Sequence, residues 1–405
     1  MVCYLCQMRT TYFFYILMLS ALQSFSQQWE SVTPPPDFYT DHTYGFSIDG
    51  KGYLVAGTTE FNGPTKAFFQ FDPEEDTWTT LEEFPGAARG YGIGDVWDRK
   101  AYFGFGTSVD SLLRDLWVFD PDSMSWHELS ACPCEPRLHP TFVANHGKIF
   151  VGLGNNNNGN QNDWWEYDIA TDTWSQKPDF PDTKRHHPYQ FAIGDYVYTG
   201  FGHGNGIFRE WYRYDPALED WQRMADIPGE GRVAGTQFSY NGKGYVLSGD
   251  GDDHTSMETG EMWSYDPELN TWDSLTPHPG TSRWAPASFV IDGVVYLYNG
   301  TTAVSGGYAY VSDAYSFDLK EMVSGEALPV KPANYSVYPN PFSSVVYINS
   351  LAADYDALTI YTLDNKIVYQ GRYASQHDVS HLTAGLYRID IRKNQKVESI
   401  PGIKQ

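Results

Sequence analysis

The chain has 405 residues, a formal net charge of −24 and an aromatic content of 16%. Its length excludes a single small core, and 37 Gly and 24 Pro among so many aromatic residues favour numerous short strands over helices or disorder. The acidic balance argues against nucleic acid as a partner, because a surface that repels phosphates gains nothing from counterion release.

The N-terminus has the three parts of a secretory signal peptide, which we place at residues 1–26. Arg9 precedes an apolar run over residues 12–22, and small residues follow up to the expected cleavage site. The true start is Met1 or Met8. The run is about half the roughly 20 residues that a membrane-spanning helix needs, and no other segment comes closer, so we expect no transmembrane helix in the mature protein.

Six tryptophans recur with a period close to 48 residues, which indicates an internal repeat. They are Trp29, Trp78, Trp126, Trp174, Trp221 and Trp272. All but the first lie six positions after the Asp of an aromatic-Asp pair, and the chain has a sixth such pair without a following Trp. The pairs are Phe71-Asp72, Phe119-Asp120, Tyr167-Asp168, Tyr214-Asp215, Tyr265-Asp266 and Phe317-Asp318.

Arginine and glycine keep the same period. Eleven residues after each of the last five Trp comes an Arg, and seventeen residues after each Arg comes a Gly. The arginines are Arg89, Arg137, Arg185, Arg232 and Arg283. The glycines are Gly106, Gly154, Gly202, Gly249 and Gly300. The same offsets from Trp29 reach Thr40 and Gly57, so the first unit lacks the Arg.

Alternation and turn residues predict four strands in each unit. In the first unit these are Tyr44 to Ile48, Gly52 to Gly57, Ala67 to Asp72 and a strand that begins at the Trp. Asp-Gly and Asn-Gly pairs join the first two strands as tight hairpins. The pattern resembles the kelch repeat. This resemblance implies an all-β fold, with a six-bladed β-propeller over residues 27–320, although the family's glycine doublet is mostly reduced to its second member here.

The offsets also predict how the ring closes. The first Trp has no strands before it, and the sixth unit has three strands and no Trp. We therefore expect Gln28 to Thr33 to supply the fourth strand of the sixth blade, which removes two open sheet edges. We expect the propeller to be a monomer.

Cys132 and Cys134 are the only cysteines expected in the mature chain, since Cys3 and Cys6 leave with the signal peptide. One residue between two cysteines strains a bridge. A closed zinc site needs four ligands, and the chain has no second cysteine pair. We therefore interpret them as two free thiols in a loop.

Residues present in every unit are expected to serve the fold first. This applies to the repeated Trp, to the aromatic residues of the third strand and to the acids that precede it, because neighbouring blades pack through aromatic side chains. The five arginines have two interpretations. They either bridge adjacent blades, which the Arg fork suits, or line the mouth of the central channel, so we also name them as binding candidates.

His42, His139 and His187 share one register, two positions after the Arg position. They could converge on the central channel as metal ligands. However, they belong to units one, three and four, which are not all adjacent, and their spacing is that of the repeat. We therefore interpret them as satisfied or exposed histidines and predict no metal site.

The interval from the repeated Gly to the next Asp varies from 13 to 18 residues, while the other intervals are nearly constant. This loop joins the second and third strands on the same face as the Arg-bearing segments, and variable loops on a rigid scaffold usually carry recognition. The non-arginine binding candidates are His139, His186, His187, His203, Trp164, Trp284, Asp252 and Asp253. Such side chains suit a glycan or a protein ligand. We interpret residues 250–254 as a solvated acidic loop, with a calcium site as the alternative. We expect no other cofactor.

Catalytic motifs are missing from the sequence: it has no His-Glu-x-x-His, no phosphate loop and no Gly-x-Ser-x-Gly. We therefore predict a binding module with no assigned catalytic residue. The alternative is a carbohydrate-modifying enzyme similar to the kelch proteins that mutarotate sialic acid, with Arg or Glu at the channel mouth as acid and base.

Residues 321–334 predict a linker, and residues 335–405 predict a small C-terminal β-sandwich. This tail resembles the C-terminal sorting domain of type IX secretion cargo from Bacteroidetes. The matching segments are Tyr-Pro-Asn-Pro at 338–341, Leu-Thr-Ile-Tyr at 358–361, Asp-Val-Ser-His-Leu at 378–382 and Gly-Leu-Tyr at 385–387. The resemblance implies that the type IX machinery handles the tail and that the protein is secreted or attached to the outer-membrane surface. The last five residues depart from the family's usual basic and hydrophobic end.

Overall fold

The computed structural model describes residues 28–305, 307–320, 335–338, 344–350, 356–362, 366–372, 374, 376–393 and 396–404. Its contacts divide the chain into two compact units, the first up to residue 322 and the second from residue 323. All regular secondary structure in these ranges is β-strand, which confirms the predicted fold class. The predicted signal peptide and linker lie outside the described residues.

Six four-stranded antiparallel sheets, which we call blades one to six, form the first unit. The first strands are Tyr44–Ile48, Ile93–Trp97, Thr141–Asn145, Tyr189–Ile193, Thr236–Tyr240 and Ala287–Ile291. The second strands are Lys51–Val55, Lys100–Gly104, Lys148–Gly152, Tyr196–Gly200, Lys243–Leu247 and Val294–Tyr298. First strands of neighbouring blades contact one another, including those of blades six and one, so they form a closed ring around a central channel.

The outer half of each blade holds the repeated aromatic residues. The third strands are Phe68–Asp72, Leu116–Asp120, Trp164–Asp168, Trp211–Asp215, Gly260–Asp266 and Tyr315–Asp318. The fourth strands are Thr77–Thr80, Ser125–Leu129, Thr173–Lys177, Asp220–Arg223 and Thr271–His278 in blades one to five, and Glu30–Ser31 in blade six.

The two ends of the propeller chain meet in blade six. Glu30 lies opposite Ser316 and Ser31 opposite Tyr315 in an antiparallel pair. The ring of Trp29 packs against Phe317 at a centroid distance of 5.2 Å. This strand covers the edge of Tyr315–Asp318 that would otherwise be open to pairing with another chain.

The repeated Trp binds its blade to the preceding one. The indole Nε1 of Trp29 donates to Thr276 O at 3.0 Å, and that of Trp78 donates to Thr33 O at 2.9 Å. Trp174, Trp221 and Trp272 make equivalent bonds. Among the described residues Trp126 Nε1 has no partner. The Trp period therefore reflects the repeated contact between blades.

The repeated Gly makes a second contact between blades. The amide of Gly154 in blade three donates to Arg185 O in the segment that leads into blade four, at 2.9 Å. The other repeated glycines donate in the same way, and Gly300 donates to Thr40 O at 2.8 Å across the closure. Thr40 thus takes the place of the Arg in the first unit, because the bond uses its backbone carbonyl and needs no Arg side chain.

Cys132 and Cys134 form a disulfide, so their prediction as free thiols is wrong. The loop that holds them brings their Cα atoms to 5.2 Å, within the range that a disulfide bridges. Both side chains are buried against blades two and three. Spacing in the sequence could not show this, because the distance depends on how the backbone bends at Pro133. Cys3 and Cys6 lie outside the described residues.

Three of the variable loops carry short strands of their own. These strands are Thr58–Thr59 and Gly63–Pro64 in the first unit, Asn155–Asn156 and Gly159–Asn160 in the third, and Thr301–Val304 and Gly307–Tyr310 in the sixth. In the first unit, Thr40–Asp41 of the segment that leads into the blade pairs with Thr58–Thr59. Bridges join each loop to the segment that leads into the same blade, for example His186 to His203 and Trp284 to Thr301. The loops and these segments therefore share one face, which we call the loop face.

The second unit contains two sheets. One consists of Tyr335–Tyr338, Val345–Ser350 and His377–Asp378. The other has the order Ile367–Arg372, Ala357–Thr362, Gly385–Lys393 and Lys396–Lys404. Val346, Leu358, Ile360 and Ile389 are fully buried in the core between them. Part of the Tyr-Pro-Asn-Pro signature, residues 339–341, lies outside the described residues.

Candidate functional site

A ring of six residues surrounds the channel where the chain passes from the loop face into the first strands. All six have a left-handed backbone, with φ between 47° and 60°. They are His42, Tyr91, His139, His187, Ala234 and Ala285. Backbone bonds connect several of them around the ring, including His42 N to Ala285 O at 3.0 Å. We call this ring the neck of the channel.

Three histidines converge at the neck. Each offers one ring nitrogen to a group in which all three atoms lie within 4.8 Å of one another. The Nε2 atoms of His42 and His187 are 3.0 Å apart, and the rings of His139 and His187 stack at 3.3 Å. In the part of the chain that the structure describes, this is the only such group of three His, Cys, Asp or Glu.

Units one, three and four are not all adjacent, yet their histidines meet at the neck. Blades one and four stand opposite each other, yet His42 and His187 touch. The six backbones approach closely at the neck, and an imidazole is long enough to reach across it. Their shared register in the repeat indicated this convergence correctly, since equivalent positions in different blades lie at the same height in the channel.

Hydrogen bonds orient two of the rings. Asp41 Oδ1 accepts from His42 Nδ1 at 2.8 Å, and Asn155 Oδ1 accepts from His139 Nδ1 at 3.0 Å. Each acceptor oxygen requires a proton on Nδ1, so the nitrogen that can offer a lone pair in either ring is Nε2. Tyr310 OH donates to the other Asp41 oxygen at 3.3 Å, which extends this network to the sixth loop.

Two buried nitrogens in this group lack a partner. Among the described residues, His139 Nε2 and His187 Nδ1 have no hydrogen bond. Burial first, and the neighbouring imidazoles second, lower the pKa of both residues well below 6.5. Both are therefore neutral at pH 7, which is the form that binds a metal.

The neck leads into a cavity of about 510 Å³ between the first strands. Polar groups such as Asp95, Asn145 and Gln190 line it beyond the histidines. Burial raises the pKa of Asp95 to about 6. The cavity is large enough for a small molecule or several waters.

A second group of rings lies on the loop face next to the neck. Neighbouring centroids are 5.1 Å apart between His186 and His203, 5.0 Å between His203 and His254, and 5.1 Å between His254 and Trp284. Trp284 also lies 4.9 Å from the His187 ring. The structure thus brings together four of the predicted binding residues and adds His254, which was named only as part of its loop.

Polar groups surround these rings. Asn160 Oδ1 accepts from His186 Nδ1 at 2.9 Å. Tyr308 OH donates to Asp250 Oδ2 at 3.2 Å, and the buried Asp250 has a pKa raised by burial. Burial, with His203 as the next cause, lowers the pKa of His186 to about 4. Burial likewise lowers the pKa of His203. At neutral pH the rings of His186 and His203 are therefore neutral aromatic surfaces with polar groups beside them.

Three predicted binding side chains are engaged elsewhere. Trp164 is fully buried between blades three and four, 4.9 Å from Trp221, and does not face the loops. Asp252 Oδ1 accepts from Gly231 N, and Asp253 Oδ1 accepts from Thr255 N. The two carboxylates stabilise different loop turns, and among the described residues they form no group of three close ligand atoms with Asp250.

The five arginines are structural residues, which corrects their listing as binding candidates. Arg89, Arg137 and Arg185 are fully buried, and Arg232 and Arg283 are at most 2% exposed. Arg137 makes a two-pronged bond to Asp163 of the same blade. Each of the other four bonds an acid of its own blade or of the loop before it; the acids are Asp115, Asp182, Glu261 and Asp313. Their guanidinium groups thus anchor the segments that lead to the neck and do not line it.

Comparisons with known proteins match both units. The model of the Attractin/LZTR1 beta-propeller matches residues 52–313, nearly two thirds of the chain. The model of the secretion system C-terminal sorting domain matches residues 336–402. No curated protein matches the chain. Within the described ranges, no helix is both long and apolar enough to cross a membrane. These matches confirm the two predicted resemblances, and the sorting domain indicates export by type IX secretion to the cell surface or the medium.

Proposed function

Since this chain belongs to the Attractin/LZTR1 beta-propeller family and carries a type IX sorting domain, we propose that it acts outside the cell as a binding module. Its ligand is an uncharged glycan, held on the loop face at Trp284 and the adjacent histidines. The observation that carries the proposal is the continuous row of rings from His186 through His203 and His254 to Trp284.

Ring rows of this kind suit a saccharide. The faces of sugar rings are apolar and stack on aromatic side chains, while hydroxyl groups need hydrogen-bond partners at the edges. Asn160 and Tyr308 lie beside the row and can provide such partners. The rings come from three different blades, so the rigid propeller holds them in place before a ligand arrives, which lowers the entropy cost of binding.

The charge of the propeller favours a neutral ligand. Residues 27–334 contain 45 acidic and 19 basic side chains. Such a surface repels anionic polysaccharides at moderate salt. A sialic acid, which carries a carboxylate, is therefore a poorer fit than a neutral sugar. The mutarotase alternative named Arg or Glu as acid and base, and the repeated arginines are buried and bonded.

A glycan array followed by calorimetry tests the proposal. The full chain should bind one or more neutral glycans, and Trp284→Ala should weaken that binding about 5- to 150-fold, because stacking on one aromatic ring contributes about 1–3 kcal/mol. Leu218→Ala is the control: Leu218 is 75% exposed and lies in the turn between the third and fourth strands, away from the loop face.

Two results would contradict the proposal. One is binding that Leu218→Ala weakens as much as Trp284→Ala, and the other is an array on which only charged glycans bind. Anomer exchange measured by NMR on the same sugars decides the enzyme alternative, because a binding module leaves the exchange rate unchanged.

A further inference from the structure

We propose that His42, His139 and His187 bind one divalent transition-metal ion at the neck of the channel. The three rings offer nitrogen atoms that all lie within 4.8 Å of one another. Tetrahedral zinc with bonds of about 2.0–2.1 Å requires nitrogens roughly 3.4 Å apart. Small side-chain rotations reach that geometry from the arrangement present. This site adjoins the glycan surface, since the His187 ring lies 4.9 Å from Trp284, but it shares no residue with the row from His186 to Trp284, and the proposal does not depend on glycan binding.

The ligand atoms select the class of metal. Three imidazoles without a carboxylate suit Zn²⁺, Cu²⁺ or Ni²⁺, whereas Ca²⁺ and Mg²⁺ require oxygen ligands. Asp41 and Asn155 hold the Nδ1–H of His42 and His139, which turns both Nε2 lone pairs inward. A carboxylate or carbonyl behind a histidine is the usual support of a metal-binding imidazole.

Two of the ring nitrogens in this group have no hydrogen-bond partner among the described residues. His139 Nε2 and His187 Nδ1 are buried and, within the described chain, unbonded. Buried polar atoms without a hydrogen bond are rare, because the cost of removing them from water is not offset. A metal ion at the centre of the three rings gives His139 Nε2 a partner and replaces the contact between two imidazole nitrogens 3.0 Å apart.

The fold does not require histidine at these positions. Blades five and six place Ala234 and Ala285 at the same register with φ of 54° and 47°, close to the values of His42 and His187. The backbone of the neck therefore forms around alanine as well. A metal ligand role explains why three of the six neck positions hold His when the backbone accepts Ala. The short side chains of Ala234 and Ala285 leave space beside the metal ion.

Three protein ligands leave one tetrahedral position for water or a bound molecule, as in catalytic zinc sites. The cavity of about 510 Å³ adjoins the histidines and gives a small molecule room to reach that position. The inferred centre is thus an open site and not a closed structural one.

Metal analysis of the full chain, produced without a histidine tag, tests this inference. We expect one Zn²⁺ per chain after dialysis against Zn²⁺, a rise in Tm with Zn²⁺, and the visible absorption of four-coordinate Co²⁺ when cobalt replaces zinc. Asp41→Asn should lower the affinity about 10- to 100-fold, the usual effect of losing an outer partner. His187→Ala should lower it further.

The controls separate metal loss from unfolding. His187→Ala should keep the Tm of the metal-free wild type, because alanine already occupies this register in two blades. His146→Ala removes an exposed histidine in the turn after Thr141–Asn145, the first strand of blade three, at the end of that strand remote from the neck. This variant should bind Zn²⁺ like the wild type. Substoichiometric zinc in the wild type would overturn the proposal, and so would equal zinc binding by the wild type and His187→Ala.

Discussion

His278 shows how strongly a single buried side chain can depend on pH in this protein. It is only 2% exposed, its Nδ1 donates to Pro279 O at 2.9 Å, and its Nε2 accepts from Ser248 Oγ at 3.0 Å. The bond from Ser248 requires the neutral ring, because a protonated Nε2 could not accept. Burial, with Arg283 as the next cause, lowers its pKa to about 4.

We expect this histidine to make the propeller less stable in acid. The folded pKa lies below the ordinary value of 6.5, so between pH 6.5 and 4 the unfolded chain takes up a proton that the folded chain rejects. The free energy of unfolding should fall by about 3 kcal/mol over that range from this residue alone. Urea unfolding at a series of pH values should show a smaller acid loss for His278→Gln than for the wild type.

His146→Gln is the matched control, since His146 is exposed. Its acid loss should equal that of the wild type. If His278→Gln also matches the wild type at every pH, the neutral buried state inferred for His278 is wrong.

The burial of Trp164 could have been predicted from the sequence. Its register is that of Phe68, Leu116, Trp211 and Met262, which are all apolar and buried. Comparing the repeat units column by column would have placed Trp164 in the core. The burial of the arginines was harder to predict, because a charged residue is buried only when a partner such as Asp163 is in place.

Individual turns and strands depend on the repeated glycines. Gly154 has φ of 82°, and a Cβ at this position would lie 2.5 Å from Leu138 O. Its amide also bonds the next blade. The residue before it, Leu153, is left-handed as well, with φ of 59°. Leu153 stands where the family has the first Gly of its doublet. The replacement therefore changes the side chain and keeps the left-handed backbone conformation.

Gly154→Ala should lower the free energy of unfolding by about 2–4 kcal/mol, since it combines left-handed strain of about 1–2 kcal/mol with a clash. Gly159→Ala is the control, because Gly159 has φ of 101° and no described atom within 4 Å of its added Cβ. Denaturant unfolding should show a clearly larger loss for Gly154→Ala. Equal losses would mean that the contact between blades tolerates a side chain.

The ring as a whole depends on the short strand that closes it. Besides pairing with blade six, this segment contacts blade one: Thr33 N donates to Asp76 Oδ1 at 3.0 Å, and Thr33 O accepts from Trp78. The segment around this two-residue strand thus connects three blades. Trp29 bonds blade five, Glu30–Ser31 pairs within blade six, and Thr33 bonds blade one.

A chain that begins at residue 34 should have a much lower Tm than one that begins at residue 28, because the deletion opens a sheet edge and uncovers Phe317. Limited proteolysis should then cut blade six first. A synthetic peptide of residues 28–34 added in excess should restore part of the Tm. Identical Tm values for the two chains would show that closure does not stabilise the ring.

The periodicity of the chain was sufficient to predict six blades, their four strands and the closing segment. Each of these follows from residues that recur at fixed spacing, and such spacing survives in a linear sequence. The sorting domain was predicted from short signature segments of the tail instead. The family match and the six observed sheets agree with that part of the prediction.

The spacing of the repeated residues along the sequence does not determine the distances between different blades or within a loop. The meeting of His42 with His187, the row of rings that ends at Trp284 and the disulfide at Cys132 all depend on the width of the neck and the bending of loops. Those quantities arise only when six sheets pack against one another, because close packing sets how near their backbones come. The repeat therefore specifies the scaffold, and its closed packing specifies the site.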